Sequence, residues 1–223
     1  MTVDLVVLTV LDADLKVLLI RRKEHPFQGA WALPGGFVRV GDAYDDRGES
    51  VEAAAHRELA EETGLPEGSA YLAQLHTFGA PDRDPRMRVI SVAHYALLRP
   101  TLAPFVTAGT DAAEARWASL RADVDSGALP LAFDHAEMLA MAVRRVRDEL
   151  DRTPVAFSLV PETFTVAELR GVHEAVVGET YDAGNFRRRF QRMVADGLIE
   201  EAPGKRVTGT KPAQVYRFSA RGA

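Results

Sequence analysis

The chain of 223 residues contains no cysteine. It therefore has no disulfide framework, no thiolate zinc site, no iron–sulfur cluster and no thiol nucleophile. It also lacks an apolar run long enough to span a membrane, and Asp4, Asp12 and Asp14 stand where a leader peptide would carry basic and then apolar residues. These absences predict a cytoplasmic protein without a membrane partner.

The composition is that of a globular protein, with 47% hydrophobic and 26% charged residues. This length favours one domain of about 150 residues with a smaller partner domain. The net charge of −5 is unevenly distributed, because residues 181–223 hold nine Lys and Arg against four Asp and Glu. This local charge of +5 leaves −10 for residues 1–180. An acidic body with a basic C-terminal part predicts two different partners.

Periodicity and chain breakers predict mixed α and β structure in the N-terminal part. A helix from Ser50 to Glu62 is built mainly from alanine and leucine and ends at Gly64. A second helix runs from Ala136 to Leu150. The predicted extended segments are Val3–Leu11, Lys16–Arg21, Trp31–Val38, Tyr71–Phe78 and Val89–Leu98, of which the first two form a hairpin.

A domain boundary is predicted near residues 151–154, where the long helix ends and the charge balance changes. Thr165 and Glu168 have capping-box spacing at the start of the next helix. Another helix begins near Asp182 or Asn185. Two short β segments, Leu198–Glu201 and Val215–Phe218, complete an order of helix, helix and hairpin.

Three carboxylates, Glu58, Glu61 and Glu62, share one arc of the first helix, because they are spaced i, i+3 and i+4. Like charges at these spacings repel by roughly 0.2–0.5 kcal/mol per pair, and the C-terminal end of a helix further disfavours them. Crowded carboxylate oxygens are what Mg²⁺ or Mn²⁺ requires. The alternative interpretation is a solvated acidic face.

The residues around this cluster resemble the Nudix box, Gly-x5-Glu-x7-Arg-Glu-U-x-Glu-Glu-x-Gly-U, in which U is a large aliphatic residue. The run from Glu49 to Leu65 fits the pattern at each position, with Arg57 as its arginine. The chain departs from it upstream, because twelve residues separate Gly36 from Glu49 where the family has five. We expect a seven-residue insertion within residues 40–48.

This resemblance implies an α+β protein with an N-terminal Nudix domain over residues 1–152, in which helices sandwich a mixed sheet. It also implies that Mg²⁺ or Mn²⁺ bridges a diphosphate while water attacks a phosphorus atom. Arg57 is then the structural partner of Glu49 and is grouped with the catalytic residues. The implied catalytic and metal-binding carboxylates are Glu58, Glu61 and Glu62, joined as a ligand by Gly36. Nudix enzymes differ in the loop that supplies the general base, so none is named.

The motif Arg83-Asp84-Pro85-Arg86 lies on a predicted turn, where two guanidiniums could pair with phosphate or simply face solvent. Together with the strand that follows, it is similar to the corresponding segment of Nudix proteins that handle ADP-ribose. We place Arg83, Arg86 and Arg21 in the substrate site. His135 is interpreted as a packed or capping residue, and no histidine is assigned to catalysis.

The C-terminal residues 155–223 combine a basic helix with a basic hairpin. One side of the helix carries Phe186, Phe190 and Met193 for a core, and the other side is rich in arginine. The expected DNA-binding residues are Arg187, Arg188, Arg189, Arg192, Lys205, Arg206 and Lys211. The alternative is a solvated charged face, but helix, basic helix and basic hairpin together predict a winged helix-turn-helix domain that binds double-stranded DNA.

The whole chain resembles the Nudix-related transcriptional regulators of NAD metabolism. The similarity extends to the segments Phe164–Leu169, Asn185–Arg188 and Lys211–Phe218. It implies a homodimer that binds operator DNA, with ADP-ribose bound in the Nudix domain as the effector. Many members of that family have a degraded box, whereas every box carboxylate is present here. We therefore expect Mg²⁺-dependent cleavage of ADP-ribose to AMP and ribose 5-phosphate to be retained.

Two alternatives remain open from the sequence. The chain could be a Nudix pyrophosphohydrolase, acting on ADP-ribose or a related nucleoside diphosphate, whose C-terminal domain does not read DNA. It could instead be a sensor without catalytic activity.

Overall fold

The computed structural model describes residues 1–41, 46–106, 112–150, 154–207 and 211–219. The elements in chain order are β1 (Thr2–Leu11), β2 (Asp14–Arg22), β3 (Trp31–Ala32), β4 (Gly35–Phe37), α1 (Val51–Thr63), β5 (Ala70–Phe78), β6 (Ser91–Leu98), β7 (Ala112–Ser119), α2 (His135–Glu149), α3 (Val166–Val177), α4 (Ala183–Ala195), β8 (Ile199–Val207) and β9 (Pro212–Phe218). Short helical turns lie at Ala103–Phe105, Leu120–Asp125 and Pro154–Leu159. None of the helices in these ranges is long and apolar enough to cross a membrane.

Strand β1 is the centre of a seven-stranded mixed sheet in the order β3-β2-β1-β6-β5, with β4 also paired to β1 and β7 to β2. The β1 and β6 pair is parallel, and the other pairs are antiparallel. Residues Val3 to Val10 of β1 are all buried, because helices cover both faces. Val6 and Leu8 face the core that α2 covers, whereas Leu5 and Val7 face α1.

Helix α1 has clear signals at both ends. The Ser50 side chain accepts a hydrogen bond from the Ala53 amide at 3.1 Å, and Gly64 ends the helix with φ of 68°. Two of the cluster carboxylates, Glu58 and Glu62, lie on the side of α1 that is buried against the sheet. Helix α1 therefore carries Glu58 and Glu62 on its buried side and Glu61 on its exposed side.

The predicted N-terminal hairpin, helices and other strands are confirmed, apart from small shifts at their ends. The predicted extended segment Trp31–Val38 instead forms two short strands, β3 and β4, which pair with β2 and β1 respectively. Strand β7 was not predicted. Its sequence is rich in alanine, which has low strand propensity, so it carries little local signal. It forms by pairing with β2, where Trp117 lies opposite Leu18.

The C-terminal part has the winged helix architecture expected from the sequence. Helices α3 and α4 pack against the β8–β9 hairpin, and Phe164 adds a short third strand through two backbone hydrogen bonds with Tyr216, of 2.8 and 2.7 Å. Phe186 and Phe190 of α4 are buried in the core. The Thr165 and Glu168 capping box is present at the start of α3.

The winged helix packs directly against the N-terminal domain. Met138 and Val146 of α2 belong to the same apolar core as Leu169 and Val176 of α3. The junction therefore consists of interdigitating apolar side chains, which restrict relative motion more than a flexible linker would.

Candidate functional site

Arg57, in the middle of α1, is the centre of a carboxylate network. Its Nε and Nη2 donate to the two oxygens of Glu49 at 3.0 and 2.6 Å, and its Nη1 donates to Glu58 at 2.7 Å and to Glu61 at 2.9 Å. The hydrogen bonds from Arg57, with one from the Arg39 amide, lower the pKa of Glu49 to about 2. The predicted pairing of Arg57 with Glu49 is confirmed, and it fixes the loop before α1 to the helix.

The lengthened loop between Gly36 and Glu49 leaves the box assembled. A Cβ atom on Gly36 would lie 2.2 Å from Oε1 of Glu58, so the backbone of β4 passes directly beside this carboxylate. Residues 42–45 of the expected insertion fall outside the described residues. Gly36 and Glu58 are thus brought together, and a larger residue at position 36 would displace the carboxylate of Glu58.

The carboxylate cluster fits a hard divalent cation by its donor chemistry. Glu58 and Glu62 are each 7% exposed, and burial raises the pKa of Glu58. In the described part of the chain no three acidic or histidine side chains are grouped closely enough to hold a metal, and Nη1 of Arg57 is paired with both Glu58 and Glu61. Carboxylate oxygens are nevertheless the ligands that Mg²⁺ and Mn²⁺ prefer.

Arg22, which sequence reasoning missed, lies between this cluster and the loop of residues 83–86. It lines a cavity of about 520 Å³ that also contains Glu58, Glu61 and Glu62. It also lines an adjoining cavity of about 180 Å³ with Arg86. Burial, together with the positive charge of Arg86, lowers the pKa of Arg22. Two cations that line the same cavity favour an anionic ligand in it.

The assignment of Arg21 to the substrate site is corrected by the structure. Its side chain is 51% exposed, donates to the Gly29 carbonyl at 3.2 Å and lies 3.8 Å from Glu114. Successive side chains of a strand point to opposite faces, so Arg22 and Ile20 face the cavity and Arg21 does not. Because every second side chain of a strand lies on the same face, the sequence could have placed Arg22 on the face of Ile20 and Arg21 on the opposite face.

Arg83 is engaged inside the protein. It donates from Nε and Nη2 to the two oxygens of Asp134 at 2.8 and 2.7 Å, and its Nη2 lies 3.5 Å from Asp4. Its side chain is only 4% exposed. The expectation of a freely available phosphate-binding guanidinium therefore needs correction, because a ligand must compete with Asp134 for Arg83. The separation of 51 residues hides this pair from sequence reasoning.

Asp4 is the buried acceptor beneath Arg83. It accepts from the Ser91 hydroxyl at 2.5 Å and lies 3.4 Å from Nε2 of His135. Burial alone would raise the pKa of Asp4. The interactions with His135, Ser91 and Arg83 lower this pKa by a larger amount, so the net shift is downward. Nδ1 of His135 accepts from the Leu33 amide at 2.9 Å, which agrees with its interpretation as a packed residue.

Arg86 is the reachable guanidinium of the loop. It is paired with Asp84 at 2.7 and 3.0 Å, and its side chain is 42% exposed. Its hydrogen bond lowers the pKa of Asp84. Arg86 thus keeps donor capacity toward the cavity that it shares with Arg22.

Two phenylalanines next to these cations have left-handed backbones. Phe27 has φ of 61° and Phe133 has φ of 53°, and their ring centres are 4.8 Å apart. They line a cavity of about 550 Å³ that Arg83 borders. Such a conformation costs of order 1–3 kcal/mol and often accompanies ligand-binding geometry. The pair offers an aromatic surface beside the cationic cleft, and no pattern in the sequence indicated it.

Helix α4 presents the basic surface expected of a recognition helix. Arg187, Arg188 and Arg192 are exposed, on the side opposite the buried Phe186 and Phe190. Arg189, also predicted to bind DNA, is half-buried, and burial lowers its pKa. The surface that the helix offers to an anion therefore centres on the three exposed arginines.

The hairpin residues expected to contact DNA divide into two kinds. Lys205 and Lys211 are exposed. Arg206 donates to Glu168 at 2.7 and 2.9 Å and to the Thr163 carbonyl at 3.0 Å. The guanidinium of Arg206 therefore holds the hairpin to the start of α3, a structural role that the sequence did not indicate.

Comparison with known proteins gives two family matches. Residues 1–142 match the NUDIX domain, and residues 156–218 match the NrtR DNA-binding winged helix domain. The chain is 34% identical to the ADPR responsive transcriptional repressor NtrR of Acinetobacter baylyi, over 98% of this chain and 82% of that protein. It is 41% identical to an ADP-ribose pyrophosphatase of Methanocaldococcus jannaschii, over 58% of this chain and 67% of that protein.

Two solved structures of Shewanella oneidensis NrtR are similar to this chain. The complex with a 27mer DNA has a TM-score of 0.80 and 35% identity, covering 98% of this chain and 93% of that one. The NUDIX domain complexed with ADP ribose has a TM-score of 0.51 and 35% identity, covering 65% of this chain and 86% of that one.

Proposed function

This chain belongs to the Nudix family, in the group that carries an NrtR-type winged helix domain, and on that premise we propose that it is a DNA-binding transcriptional regulator that responds to ADP-ribose. The observation that carries the proposal is likeness over nearly the whole chain to a regulator whose structure contains DNA. The exposed arginines of α4 supply the cationic surface that such binding requires.

The cavities beside the box support ADP-ribose as the ligand. Arg22 and Arg86 provide donors for a diphosphate, and Phe27 and Phe133 provide an aromatic surface for a planar base. The cavity of about 520 Å³ has the size of an ordinary small-molecule site. A cationic middle with an aromatic end matches a molecule built from a base, two phosphates and two sugars.

We further propose that the chain hydrolyses ADP-ribose to AMP and ribose 5-phosphate. A water oxygen would bond to one phosphorus, the bond from that phosphorus to the bridging oxygen would break so that this oxygen leaves with the other phosphate, and the protons of the water would pass to solvent. Glu58, Glu61, Glu62 and the carbonyl of Gly36 would hold Mg²⁺ or Mn²⁺, which would neutralise the diphosphate and promote ionisation of the water. Glu49 keeps Arg57 anchored at two oxygens when Glu58 and Glu61 turn to a cation.

Product analysis with ADP-ribose and Mg²⁺ tests the enzymatic part. AMP formed by the parent and lost in the Glu61→Gln/Glu62→Gln variant would support hydrolysis at the box. Binding of ADP-ribose without AMP formation by the parent would indicate a sensor without catalytic activity, and would leave the regulatory proposal in place.

Selection of duplexes from a random library, followed by fluorescence anisotropy at several salt concentrations, tests the regulatory part. We expect a preferred sequence whose affinity falls steeply with salt. A parent protein that binds every duplex weakly and alike would contradict the proposal.

A second candidate is a Nudix pyrophosphohydrolase whose winged helix does not read DNA. The complete set of box carboxylates favours it, as does the continuous core that makes α3 a structural support for the N-terminal domain. AMP formation without sequence-specific DNA binding would select this alternative.

We also propose the domain division 1–152 and 155–223 and a homodimeric assembly. A dimer would present two recognition helices to two half-sites of an operator. Sedimentation of the free protein and of its DNA complex measures this directly, and a monomer in both would contradict it.

A further inference from the structure

Helix α2 borders two functional parts of the molecule. Its first turn lies at the cavity lined by Phe27, Arg83 and Phe133, here called the nucleotide cavity, and its last turn contacts the winged helix. Its 15 residues span about 22 Å at 1.5 Å per residue. Asp134, immediately before the helix, is paired with Arg83 at the cavity. Arg147, in the last turn, donates to a carbonyl of α3. One rigid element therefore touches both functional parts of the molecule.

The start of α2 lacks the side-chain cap that its sequence could provide. Asp134 occupies the N-cap position, where aspartate normally accepts a hydrogen bond from an amide of the first turn. Here it makes no such bond, its φ and ψ are −94° and 19° rather than extended, and both of its oxygens accept from Arg83. Both carboxylate oxygens are directed to Arg83, and in this arrangement neither accepts from an amide of the first turn.

The residue before Asp134 adds backbone strain to this arrangement. Phe133 has φ of 53°, a left-handed conformation that costs a non-glycine residue about 1 kcal/mol or more. Its ring also lies below the guanidinium of Arg22, at 4.8 Å. An uncapped and strained helix start that is held by Arg83 is poised to change when Arg83 takes another anion.

The other end of α2 is attached to the winged helix through the C-terminus of α3. Nε of Arg147 donates to the Val176 carbonyl at 2.8 Å; Nη2 of Arg121, which lies in the turn Leu120–Asp125 and not in α2, donates to the Gly178 carbonyl at 3.0 Å. Cations at these carbonyls satisfy the end of the helix and its dipole. A displacement of α2 along its axis would therefore move α3, which packs against the recognition helix α4.

We propose that α2 couples the nucleotide cavity to DNA binding by exchange of partners at Asp134. A diphosphate competes for Arg83, the released Asp134 caps α2, and the resulting shift of the helix reaches α3 through Arg147. The inference rests on the proposed function and adds the route by which ligand and DNA influence each other. The coupling is reciprocal, so either ligand must change the affinity for the other by the same factor.

The first test is Asp134→Asn, because asparagine caps a helix as well as aspartate but offers Arg83 no charge. DNA affinity is measured by anisotropy with and without methylene-bridged ADP-ribose, which cannot be cleaved between its phosphorus atoms. Saturating ligand changes the logarithm of the parent's DNA affinity by a measured amount. We expect the DNA affinity of ligand-free Asp134→Asn to differ from that of the ligand-free parent in the same direction, by at least half of this amount. Asp148→Asn, which removes an exposed carboxylate from the same helix, should leave the ligand-free affinity unchanged.

The second test is Arg147→Gln, which removes the charged contact with α3 at a distance from the cavity. We expect ligand binding without DNA to stay within about threefold of the parent. The factor by which ligand changes DNA affinity, typically about 5–150-fold in coupled systems, should fall to within about twofold of unity. Arg144→Gln on the exposed side of α2 is the matched control and should retain the parent's factor. Arg147→Met, which keeps the apolar stem of the side chain but has no donor, is the second variant, should Arg147→Gln fail to fold.

The outcomes separate this inference from the proposed function. A parent whose ligand changes DNA affinity, with Asp134→Asn and Arg147→Gln behaving like it, overturns the route through α2 and leaves the regulator intact. A parent that binds no specific DNA overturns the regulator itself. A parent that binds both molecules without mutual influence overturns the coupling.

Discussion

The guanidinium of Arg22 lies 4.8 Å above the ring of Phe133. Its Nε donates to the Pro26 carbonyl at 2.8 Å, so the side chain is held at one edge and stacked on one face. Such fixation lowers the entropy lost when an anion binds. The guanidinium of Arg22 is thus already oriented in the cavity before a nucleotide binds.

Replacement of Arg22 by glutamine should weaken ADP-ribose binding about tenfold, because a charge-assisted hydrogen bond to phosphate is lost. Arg21→Gln is the matched control, since the neighbouring guanidinium faces Glu114 outside the cavity. Isothermal titration with methylene-bridged ADP-ribose measures both. Equal losses in the two variants would show that only general surface charge matters.

Gly36→Ala should reduce hydrolysis by about 100-fold, because the added Cβ would meet Oε1 of Glu58 at 2.2 Å and displace this carboxylate. The stability should change little, because the added Cβ meets the movable end of the Glu58 side chain and not backbone. Gly171→Ala in α3 has open space around its Cβ and serves as the control. Initial rates of AMP formation and thermal unfolding give the two readouts, and a fully active Gly36→Ala enzyme would contradict the assembled box.

The Nudix box shows what sequence can and cannot give. The resemblance to the Nudix box implied the pairing of Arg57 with Glu49, and the structure adds a contact of Arg57 with Glu58 that was not predicted. Arg83 was expected to bind phosphate or to face solvent, and its pairing with Asp134 was missed because the two residues come together only when α2 folds against the sheet. Local patterns determine local pairs, and tertiary pairs depend on packing that no spacing rule contains.

The hairpin of the winged helix contains a second tertiary pair that the sequence did not indicate. Arg206 has the charge and the hairpin position expected of a DNA-contacting residue, yet its guanidinium is paired with Glu168 at the start of α3. The elements themselves were predictable from the capping box and from the spacing of Phe186 and Phe190. The partner of a long cationic side chain was not.

Glu49 should make stability depend on pH below about 5. Its pKa is about 2 in the folded protein, lower than in the unfolded chain, so its contribution is present above the unfolded pKa of about 4.3 and is lost as pH falls toward 2. Glu49→Gln should therefore reduce proton uptake on unfolding at pH 3.5 by roughly 0.8 proton. Denaturant titrations between pH 2.5 and 6 measure this, with exposed Glu67→Gln as control. An unaltered pH slope in Glu49→Gln would count against the Arg57 pair.

The basic residues of the winged helix should separate into DNA contacts and structural contacts. Arg187→Ala and Arg188→Ala should each weaken DNA binding and reduce the slope of log affinity against log salt by about one, because each exposed cation neutralises one phosphate. Arg206→Ala should leave that slope unchanged and instead lower the thermal stability, since Glu168 and Thr163 lose their shared partner. Anisotropy over a range of salt concentrations, together with calorimetry, distinguishes the two behaviours. The triple variant Arg187→Ala/Arg188→Ala/Arg189→Ala should lose measurable specific binding, and if it bound duplex DNA as tightly as the parent, α4 would not be the recognition helix.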